Sequence, residues 1–465
     1  MSQTRWDVVV IGGGPTGEVA AGECARRGLS VALVESALLG GACSYYACMP
    51  SKALLRPVQL LAELRRLPGL RDSAPPVPEA REVFRFRDEA ASNYDDSGQK
   101  KWARKAGVTV LRGRGRIVGE REVEVVPGQG APVRHRAVKA VIVATGSRPN
   151  VPDIEGLRAA DPWTNREGTA ASEVPEHLAV IGGGPVGCEL SQAWSGLGAR
   201  VTLLVRGDGL APSMEPFVNE LLLKTFAKQG PDVRLNTEVS RVEKQNGRLS
   251  LTLTRGDPLQ VDAVLVATGR SPATQHLGLE SIGLPGTGPV EVDAQLRAKG
   301  VDGDWLYAVG DVNGRAPLTH MGKYQARVAA AVIAGEDTRL AKDAPTPQVL
   351  FTEPQVGSVG LTKQQAEEAG LRIRVADVPF SAAAGSSVLG EGIEGQARLI
   401  IAEDEEVLVG ATFAGPLAGE LLHAATIAIT GRVPLSTLWH AVPSFPTVSE
   451  LWLRLLEADR DRART

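Results

Sequence analysis

Residues 6–17 read Trp6-Asp7-Val8-Val9-Val10-Ile11-Gly12-Gly13-Gly14-Pro15-Thr16-Gly17, and this stretch decides the fold class. An apolar run is followed by three glycines at G-x-G-x-x-G spacing and then by a small-residue helical pattern. This order is typical of the strand–loop–helix unit that binds a dinucleotide. Gly12 permits the tight turn, Gly14 lets the backbone approach a pyrophosphate, and Gly17 lets the helix pack on the strand.

The residues after this fingerprint continue the same unit. A helix is predicted over residues 18–27 with its stop at Gly28, and a strand over residues 30–34 leads to Glu35. An acid at the end of the second strand accepts hydrogen bonds from ribose hydroxyls. A glycine turn without a ligand is the alternative for the motif alone. The strand, helix and acid in the expected order favour dinucleotide binding.

A second fingerprint in residues 178–187 predicts a second dinucleotide-binding domain. Its glycines are Gly182, Gly184 and Gly187. A helix is predicted over residues 188–197 and a strand over 201–205, but the next residue is Arg206 where an acid would bind the 2′-hydroxyl of NAD. A guanidinium pairs with a 2′-phosphate, so the sequence favours NADPH over NADH. The alternative is that Arg206 is an ordinary exposed arginine.

Two cysteines, Cys43 and Cys48, follow the first unit in the stretch GGACSYYACMPSK, residues 40–52. Thiols near a helix start can have a lowered pKa, and two neighbouring thiols can form a reversible disulfide. The alternative is a pair of buried small hydrophobic residues, and the position after the first unit favours the redox pair. Cys24 and Cys188 lie on predicted helices and are predicted to be core residues.

Composition limits the function further. The chain has 465 residues, a net charge of −3 and 43% hydrophobic residues, which indicates a globular protein of several domains. The charge argues against nucleic acid or an anionic membrane as the main partner. No secretory signal is evident, so a cytoplasmic protein is expected, and no metal site is predicted.

The last part of the chain has a different pattern. Beyond Pro345, strand-like stretches precede helical ones, without a nucleotide fingerprint. This order is typical of an α+β domain. Residues 70–80 are predicted to be a loop, and the charged residues 459–465 are predicted to be frayed.

The cysteine stretch resembles the G-G-x-C-x-x-x-x-C-x-P-[ST]-K signature of the flavoprotein disulfide reductases. This class I pyridine nucleotide–disulfide oxidoreductase family includes lipoamide dehydrogenase, glutathione reductase and mercuric reductase. Both fingerprints, the Ala-Thr-Gly stretches at 144–146 and 267–269, and the segments 307–311 and 351–360 fall in family order. The resemblance covers nearly the whole chain.

The resemblance implies an α/β fold with two Rossmann-like dinucleotide-binding domains and a C-terminal α+β dimerisation domain. An FAD-binding domain is expected over residues 1–150, an NAD(P)-binding domain over 151–270, and the second part of the FAD or central domain over 271–344. A dimerisation domain is expected over 345–465. The chain is therefore expected to be a homodimer.

The resemblance also implies catalytic roles. Cys48 would be the sulfur next to the flavin and Cys43 the interchange sulfur that faces the substrate. Lys52 would stand near flavin N5 and pair with Glu189. A cation there would stabilise the reduced, anionic flavin.

Further cofactor contacts are implied residue by residue. For FAD they are Gly12, Gly14, Gly17, Glu35, Lys52, Thr145, Gly146, Asp311, Thr319 and His320. For the pyridine nucleotide they are Gly182, Gly184, Gly187, Glu189, Arg206 and Gly269. Without the resemblance, Asp311 could be a turn aspartate and His320 a packing residue.

One departure from the family concerns its C-terminal His-Pro-Thr-x-x-Glu motif, whose histidine is the acid/base of thiol–disulfide exchange. Phe445 stands at the histidine position, while Glu450 remains as a catalytic candidate. His440 and His423 lie nearby without matching the motif. Mercuric reductases use a C-terminal cysteine pair instead, but this chain has no cysteine after Cys188.

The sequence therefore predicts an NAD(P)H-dependent flavoenzyme that passes electrons from NADPH through FAD to a small acceptor such as a quinone. One alternative is a reductase of an unidentified disulfide. Another, of a different class, is a redox-sensing flavoprotein with little turnover.

Overall fold

The computed structural model describes residues 4–245, 247–341 and 344–462. Internal contacts divide the chain into two units. The first comprises Met1–Pro50, Arg87–Asn150 and Gly269–Ala344, and the second comprises Ser51–Phe86, Val151–Thr268 and Pro345–Thr465. Within the described ranges, no helix is both long and apolar enough to cross a membrane.

The strands of the described residues are β1 (Arg5–Ile11), β2 (Val31–Glu35), β3 (Val108–Arg112), β4 (Arg114–Gly119), β5 (Glu122–Val126), β6 (Val133–Val143), β7 (Ser147–Pro149), β8 (His177–Ile181), β9 (Arg200–Leu204), β10 (Asp232–Arg234), β11 (Val239–Gln245), β12 (Arg248–Leu253), β13 (Leu259–Val261), β14 (Ala263–Val266), β15 (Arg270–Pro272), β16 (Leu306–Ala308), β17 (Gln348–Leu350), β18 (Gln355–Gly360), β19 (Ile373–Pro379), β20 (Gln396–Ala402) and β21 (Val407–Gly415).

The α-helices are α1 (Pro15–Arg26), α2 (Gly41–Tyr45), α3 (Cys48–Arg66), α4 (Ala80–Ala90), α5 (Ser97–Lys105), α6 (Asn165–Ala170), α7 (Pro185–Gly196), α8 (Pro216–Gln229), α9 (Thr319–Ile333), α10 (Lys363–Glu368), α11 (Ala384–Ser387), α12 (Ala418–Thr430), α13 (Leu435–Leu438) and α14 (Leu451–Arg462).

The first unit is built on a sheet in the order β3-β2-β1-β6-β5-β4, with β16 also paired to β6. Strands β1, β2, β3, β6 and β16 pair in parallel, whereas β4, β5 and β6 form an antiparallel meander. Val8, Val9 and Val10 of β1 are fully buried, as expected for a parallel strand covered on both faces. Cys24 on α1 belongs to the same core, and burial raises its pKa to about 12.

The second unit contains a parallel sheet in the order β10-β9-β8-β14, an antiparallel three-stranded sheet, β11-β12-β13, and an antiparallel five-stranded sheet, β17-β18-β21-β20-β19. Helix α7 follows β8 as α1 follows β1 in the first unit. Cys188 on α7 is fully buried, so the prediction that Cys24 and Cys188 are core residues is confirmed. The α/β class with two strand–loop–helix units and a C-terminal α+β part is the observed fold.

One local prediction is wrong. Helix α14 continues to Arg462 because Arg374 pairs with Asp459 at 2.6 Å and Arg462 donates to the Val375 carbonyl at 3.0 Å. The chain is therefore not frayed from residue 459, although residues 463–465 lie outside the described ranges. The predicted loop at 70–80 is confirmed, with a short 3₁₀ turn inside it and α4 beginning at its last residue.

Candidate active site

The first fingerprint forms a tight strand–helix junction in the first unit. A Cβ atom at Gly17 would lie 1.8 Å from the Gly12 carbonyl oxygen, so a side chain would force the helix away from the strand. Space next to Gly14 is open, with the nearest heavy atom 4.0 Å from a hypothetical Cβ. The α1 N-terminus therefore offers backbone donors and a positive dipole to an approaching phosphate.

Glu35 lies at the end of β2 beside this junction. Its carboxylate accepts hydrogen bonds from the Gly13 and Ala37 amides at 2.7 and 2.6 Å. A cavity of about 610 Å³ in the same unit is lined by Ser36 and Gly113, among others. Ser36, the residue after Glu35, thus lines a space large enough for the nucleoside end of a dinucleotide.

The second group of FAD candidates lies at the ends of β6 and β16. Thr145 and Gly146 directly follow β6, and the Thr145 hydroxyl donates to the Ala273 carbonyl at 2.8 Å. Asp311, just after β16, accepts a hydrogen bond from the Ser147 hydroxyl at 2.5 Å. The same hydroxyl accepts from Arg270 Nε at 2.8 Å.

Sequence reasoning missed Ser147 and Arg270. They lie 164 and 41 residues from Asp311 in the chain, and antiparallel pairing of β7 with β15 brings them together. The only available signal was their position directly after the two Ala-Thr-Gly stretches. The result is a hydrogen-bonded chain of guanidinium, hydroxyl and carboxylate. The guanidinium can bind a diphosphate, and the hydroxyl and carboxylate can bind the hydroxyls of a polyol.

The two redox candidates are thiols in this structure, and both contact one hydroxyl. Thr319 Oγ1 donates to Cys43 Sγ at 3.2 Å and lies 3.6 Å from Cys48 Sγ. Thr319 is the first residue of α9, and His320 lies in the same first turn. The structure therefore brings Cys43, Cys48 and Thr319 together at the N-terminus of α9, whose dipole favours negative charge. The neighbouring Cys48 thiol and burial act the other way and raise the pKa of Cys43.

In the second unit, the second fingerprint repeats the geometry of the first. A Cβ at Gly187 would lie 1.8 Å from the Gly182 carbonyl oxygen, and the space beside Gly184 is open. Gly269 follows the second Ala-Thr-Gly stretch, but it lies in the first unit, where its carbonyl accepts from the Asn150 amide at 3.0 Å.

Arg206 is exposed two residues beyond the end of β9. Arg234 is the register partner of Leu204, the last residue of that strand, and it pairs with Asp232 at 2.9 Å. Sequence reasoning missed Arg234 because the pairing of β9 with β10 places it there. Two guanidinium groups thus lie near the strand end that receives the nucleotide ribose in such sheets.

Lys52 and Glu189 form an ion pair within the second unit. Lys52 Nζ donates to Glu189 Oε2 at 2.7 Å, and Glu189 Oε1 accepts from the Phe351 amide at 3.0 Å. The Lys52 ammonium also lies 4.7 Å from the centre of the Phe351 ring. The buried carboxylate therefore holds the lysine in one place.

At the C-terminal end of the second unit, Phe445 and Glu450 do not form a pair that could transfer a proton. Phe445 is 76% exposed, whereas Glu450 is only 4% exposed. Glu450 accepts from Arg454 at 2.5 Å and from the Ala384 amide at 2.9 Å. Both of its carboxylate oxygens therefore hold α14 and α11 in place.

These residues fit FAD in the first unit and a pyridine nucleotide in the second. The open backbone at α1, the acid at Glu35 and the Arg270–Ser147–Asp311 chain would hold the ribose, diphosphate and polyol portions of FAD. The open α7 N-terminus and Arg206 would hold the pyridine nucleotide. When bound, FAD supplies two-electron chemistry between the nicotinamide and a second redox group.

Comparison with known families agrees with this geometry. Residues 6–331 match the family described as "Pyridine nucleotide-disulphide oxidoreductase", and residues 346–455 match its dimerisation domain. Dihydrolipoyl dehydrogenase of Thermus scotoductus is 34% identical over 462 residues, which cover 97% of each chain. Dihydrolipoyl dehydrogenase of Chlamydia muridarum is 31% identical over 453 residues, 96% of this chain and 95% of that one.

Solved structures show the same fold. LpdA of Mycobacterium tuberculosis superimposes with a TM-score of 0.85 at 25% identity and covers 99% of both chains. The Cu(II) complex of the HOCl-induced flavoprotein disulfide reductase RclA of Escherichia coli gives 0.86 at 24% identity, covering 98% of this chain and 99% of that one. The match to the dimerisation domain supports a homodimer. The chain belongs to the pyridine nucleotide-disulphide oxidoreductase family and is an FAD-containing, pyridine nucleotide-dependent oxidoreductase.

Proposed function

We propose that the protein has a redox-active Cys43–Cys48 pair and passes electrons from NADPH through FAD to a small acceptor such as a quinone. The pair would cycle between the dithiol seen here and a disulfide, a change that carries two electrons and two protons. The cytoplasm is the proposed compartment, because four cysteines in 465 residues do not form a disulfide framework.

The proposed acceptor is a quinone because Phe445 stands where an acid/base for disulfide reduction would be expected. Reduction of a disulfide by thiol exchange needs an acid for the leaving thiolate and a base for the attacking thiol. Phe445 cannot exchange a proton. The Glu450 carboxylate already accepts hydrogen bonds from Arg454 and from the Ala384 amide. Electron transfer from the reduced flavin to a quinone needs no such group at the sulfur face.

A second candidate acceptor is a disulfide whose leaving thiol has a low pKa and departs without an acid. Cys43 favours this alternative, because it is partly exposed and its sulfur receives a hydrogen bond from Thr319. The dihydrolipoyl dehydrogenase relatives give it further support.

Steady-state NADPH oxidation tests the proposal that this protein is a catalyst with multiple turnovers. The purified holoenzyme should consume NADPH continuously with a benzoquinone and stop when the quinone is exhausted. Consumption that stops after the one or two NADPH equivalents needed to reduce the flavin and the cysteine pair, with quinones and disulfides alike, would instead indicate a redox sensor.

Arg206 should make NADPH the better coenzyme. Charge-assisted hydrogen bonds to the 2′-phosphate contribute about 1.5–3 kcal/mol, so kcat/KM should favour NADPH by roughly ten- to a hundredfold. Arg206→Ala should remove most of this preference. Arg200→Ala, at the opposite end of β9, is the matched control and should keep it. Equal kcat/KM for both coenzymes in the wild type would contradict the assignment.

The protein should be a homodimer that associates through residues from about 345 onward. Several large apolar side chains in this part of the second unit are exposed, as expected for an interface: Leu417, Ile427, Val442 and Phe445. Light scattering at micromolar concentration should give twice the chain mass. Val442→Asp should shift the equilibrium toward monomer, whereas Val77→Asp, at an exposed valine outside this segment, should not. A wild-type monomer would overturn the prediction.

A further inference from the structure

A cavity of about 440 Å³ lies within the second unit, apart from the sites described above. Helices α3, α7 and α8 and the segments 353–354 and 392–394 form its walls. Gly196, the last residue of α7, lines the cavity, whereas the proposed nucleotide site lies at the other end of this helix. At roughly 1.5 Å per residue, about 16 Å separate Pro185 from Gly196. The volume lies within the roughly 300–1,000 Å³ typical of small-molecule sites.

Close packing and hydrogen bonds fix two of these walls. A Cβ at Gly196 would lie 2.4 Å from Val58 Cγ1, so α3 and α7 are in contact beside the cavity. The Gln192 side-chain amide on α7 donates to the Glu353 carbonyl at 2.8 Å, and its oxygen accepts from the Glu353 amide at 2.7 Å. The cavity is therefore formed before any ligand binds, which lowers the free-energy cost of binding.

The segment 392–394 closes another side of the cavity and is held at both ends. The Glu391 amide, just before it, donates to the Arg66 carbonyl at 2.9 Å. Glu394, at its other end, pairs with Lys224 and Lys228 at 2.8 and 3.1 Å. Both carboxylate oxygens of Glu394 are thus paired within the protein.

The charged groups of the lining leave positive charge uncompensated. The basic residues are Arg65, Arg66 and Lys228, and the acidic residues are Glu353 and Glu394. Glu353 pairs with Arg66 at 2.5 Å, whereas Arg65 donates to two backbone carbonyls and pairs with no acid among the described residues. Arg66 Nε is a buried donor that has no hydrogen-bond partner in the described part of the chain. A donor without an acceptor costs stability, and a ligand that supplies an acceptor would remove this cost.

Much of the remaining lining is apolar. Val58 and Ala62 on α3, Leu221 on α8 and Ile393 in the closing segment contribute hydrocarbon surface. A small inorganic ion would leave this surface in contact with water, whereas a short hydrocarbon chain would bury it. The cavity thus combines a cationic group with an apolar wall.

We propose that this cavity binds a small organic carboxylate with a short apolar body. The carboxylate pairs with the guanidinium of Arg66, because the planar guanidinium matches the geometry of a carboxylate. The apolar body packs against Val58, Ala62 and Leu221.

Isothermal titration calorimetry of the FAD-loaded protein with sodium hexanoate tests this proposal. Hexanoate should bind saturably, with one molecule per chain. Hexanamide, its uncharged analogue, should bind roughly tenfold more weakly because it cannot form the charge-assisted pair. Acetate, which lacks most of the hydrocarbon chain, should also bind roughly tenfold more weakly. The titration contains neither NADPH nor an electron acceptor, so a missing quinone activity would leave its result unchanged.

Two variants separate the effect of the charge from that of the space. Arg66→Met should weaken hexanoate binding roughly tenfold. Ala62→Phe keeps every charge of the lining and fills part of the cavity, so it should abolish binding. Arg56→Met is the matched control, because it removes an exposed arginine of α3 that does not line the cavity. It should bind hexanoate like the wild type, and retained FAD absorbance in each variant checks that the fold is intact.

Methyl NMR spectroscopy of the same FAD-loaded protein locates the ligand. Hexanoate should shift the methyl resonances of Val58, Leu221 and Ile393. Absence of saturable binding, equal affinity for hexanoate and hexanamide, or shifts confined to other methyl groups would overturn the proposal.

Discussion

Phe445→His should increase NADPH-dependent reduction of lipoamide by about 10²-fold while leaving benzoquinone reduction unchanged. A positioned acid/base contributes about 10²–10⁴-fold to proton transfer. The lower end is expected because Glu450, the residue that would orient an imidazole, is held by Arg454 and the Ala384 amide.

Phe445→Tyr is the matched control, since it keeps an aromatic ring but adds no base that titrates near neutral pH. It should leave lipoamide turnover at the wild-type level. Robust lipoamide or glutathione disulfide turnover by the wild type, unaffected by either substitution, would show that position 445 is irrelevant to the acceptor.

Anaerobic titration with NADPH should take up about two reducing equivalents beyond those of the flavin, because a dithiol/disulfide couple carries two electrons. In the reduced protein, both sulfurs would then occupy the positions seen here beside Thr319. Cys48→Ser should abolish the additional uptake and any thiolate-to-flavin charge-transfer absorbance.

Cys188→Ser is the control for the loss of a thiol elsewhere. Cys188 is buried in a different core, where burial raises its pKa to about 12, so it should not contribute to the titration. If the wild type accepts only the two electrons of the flavin, the cysteine pair is not redox-active.

Much of the fold was predictable because its signals are local. The two glycine fingerprints each join a buried apolar strand to a helix, and the acid at Glu35 and the arginine at Arg206 follow at the ends of the second strands. Strand and helix boundaries differ by one to three residues. The structure starts α1 at Pro15, for example, because proline suits the first helical turn.

The contacts that complete the site were not predictable from local pattern. Ser147, Arg270 and Asp311 meet only because β7 pairs with β15 and both follow nucleotide-binding strands. One partner of Glu450 also depends on tertiary packing, since the Ala384 amide is 66 residues away in the chain. A motif position indicates which residue type is present. Tertiary packing decides whether its charged group can act on a ligand or is already paired within the protein.

We expect electrons to leave this protein without the help of a C-terminal acid/base. The most direct test is the ratio of kcat/KM for a benzoquinone to kcat/KM for lipoamide, measured with NADPH on the wild-type holoenzyme. We expect a ratio well above one, because the quinone needs no proton donor at position 445. A ratio below one, with steady lipoamide turnover, would contradict it.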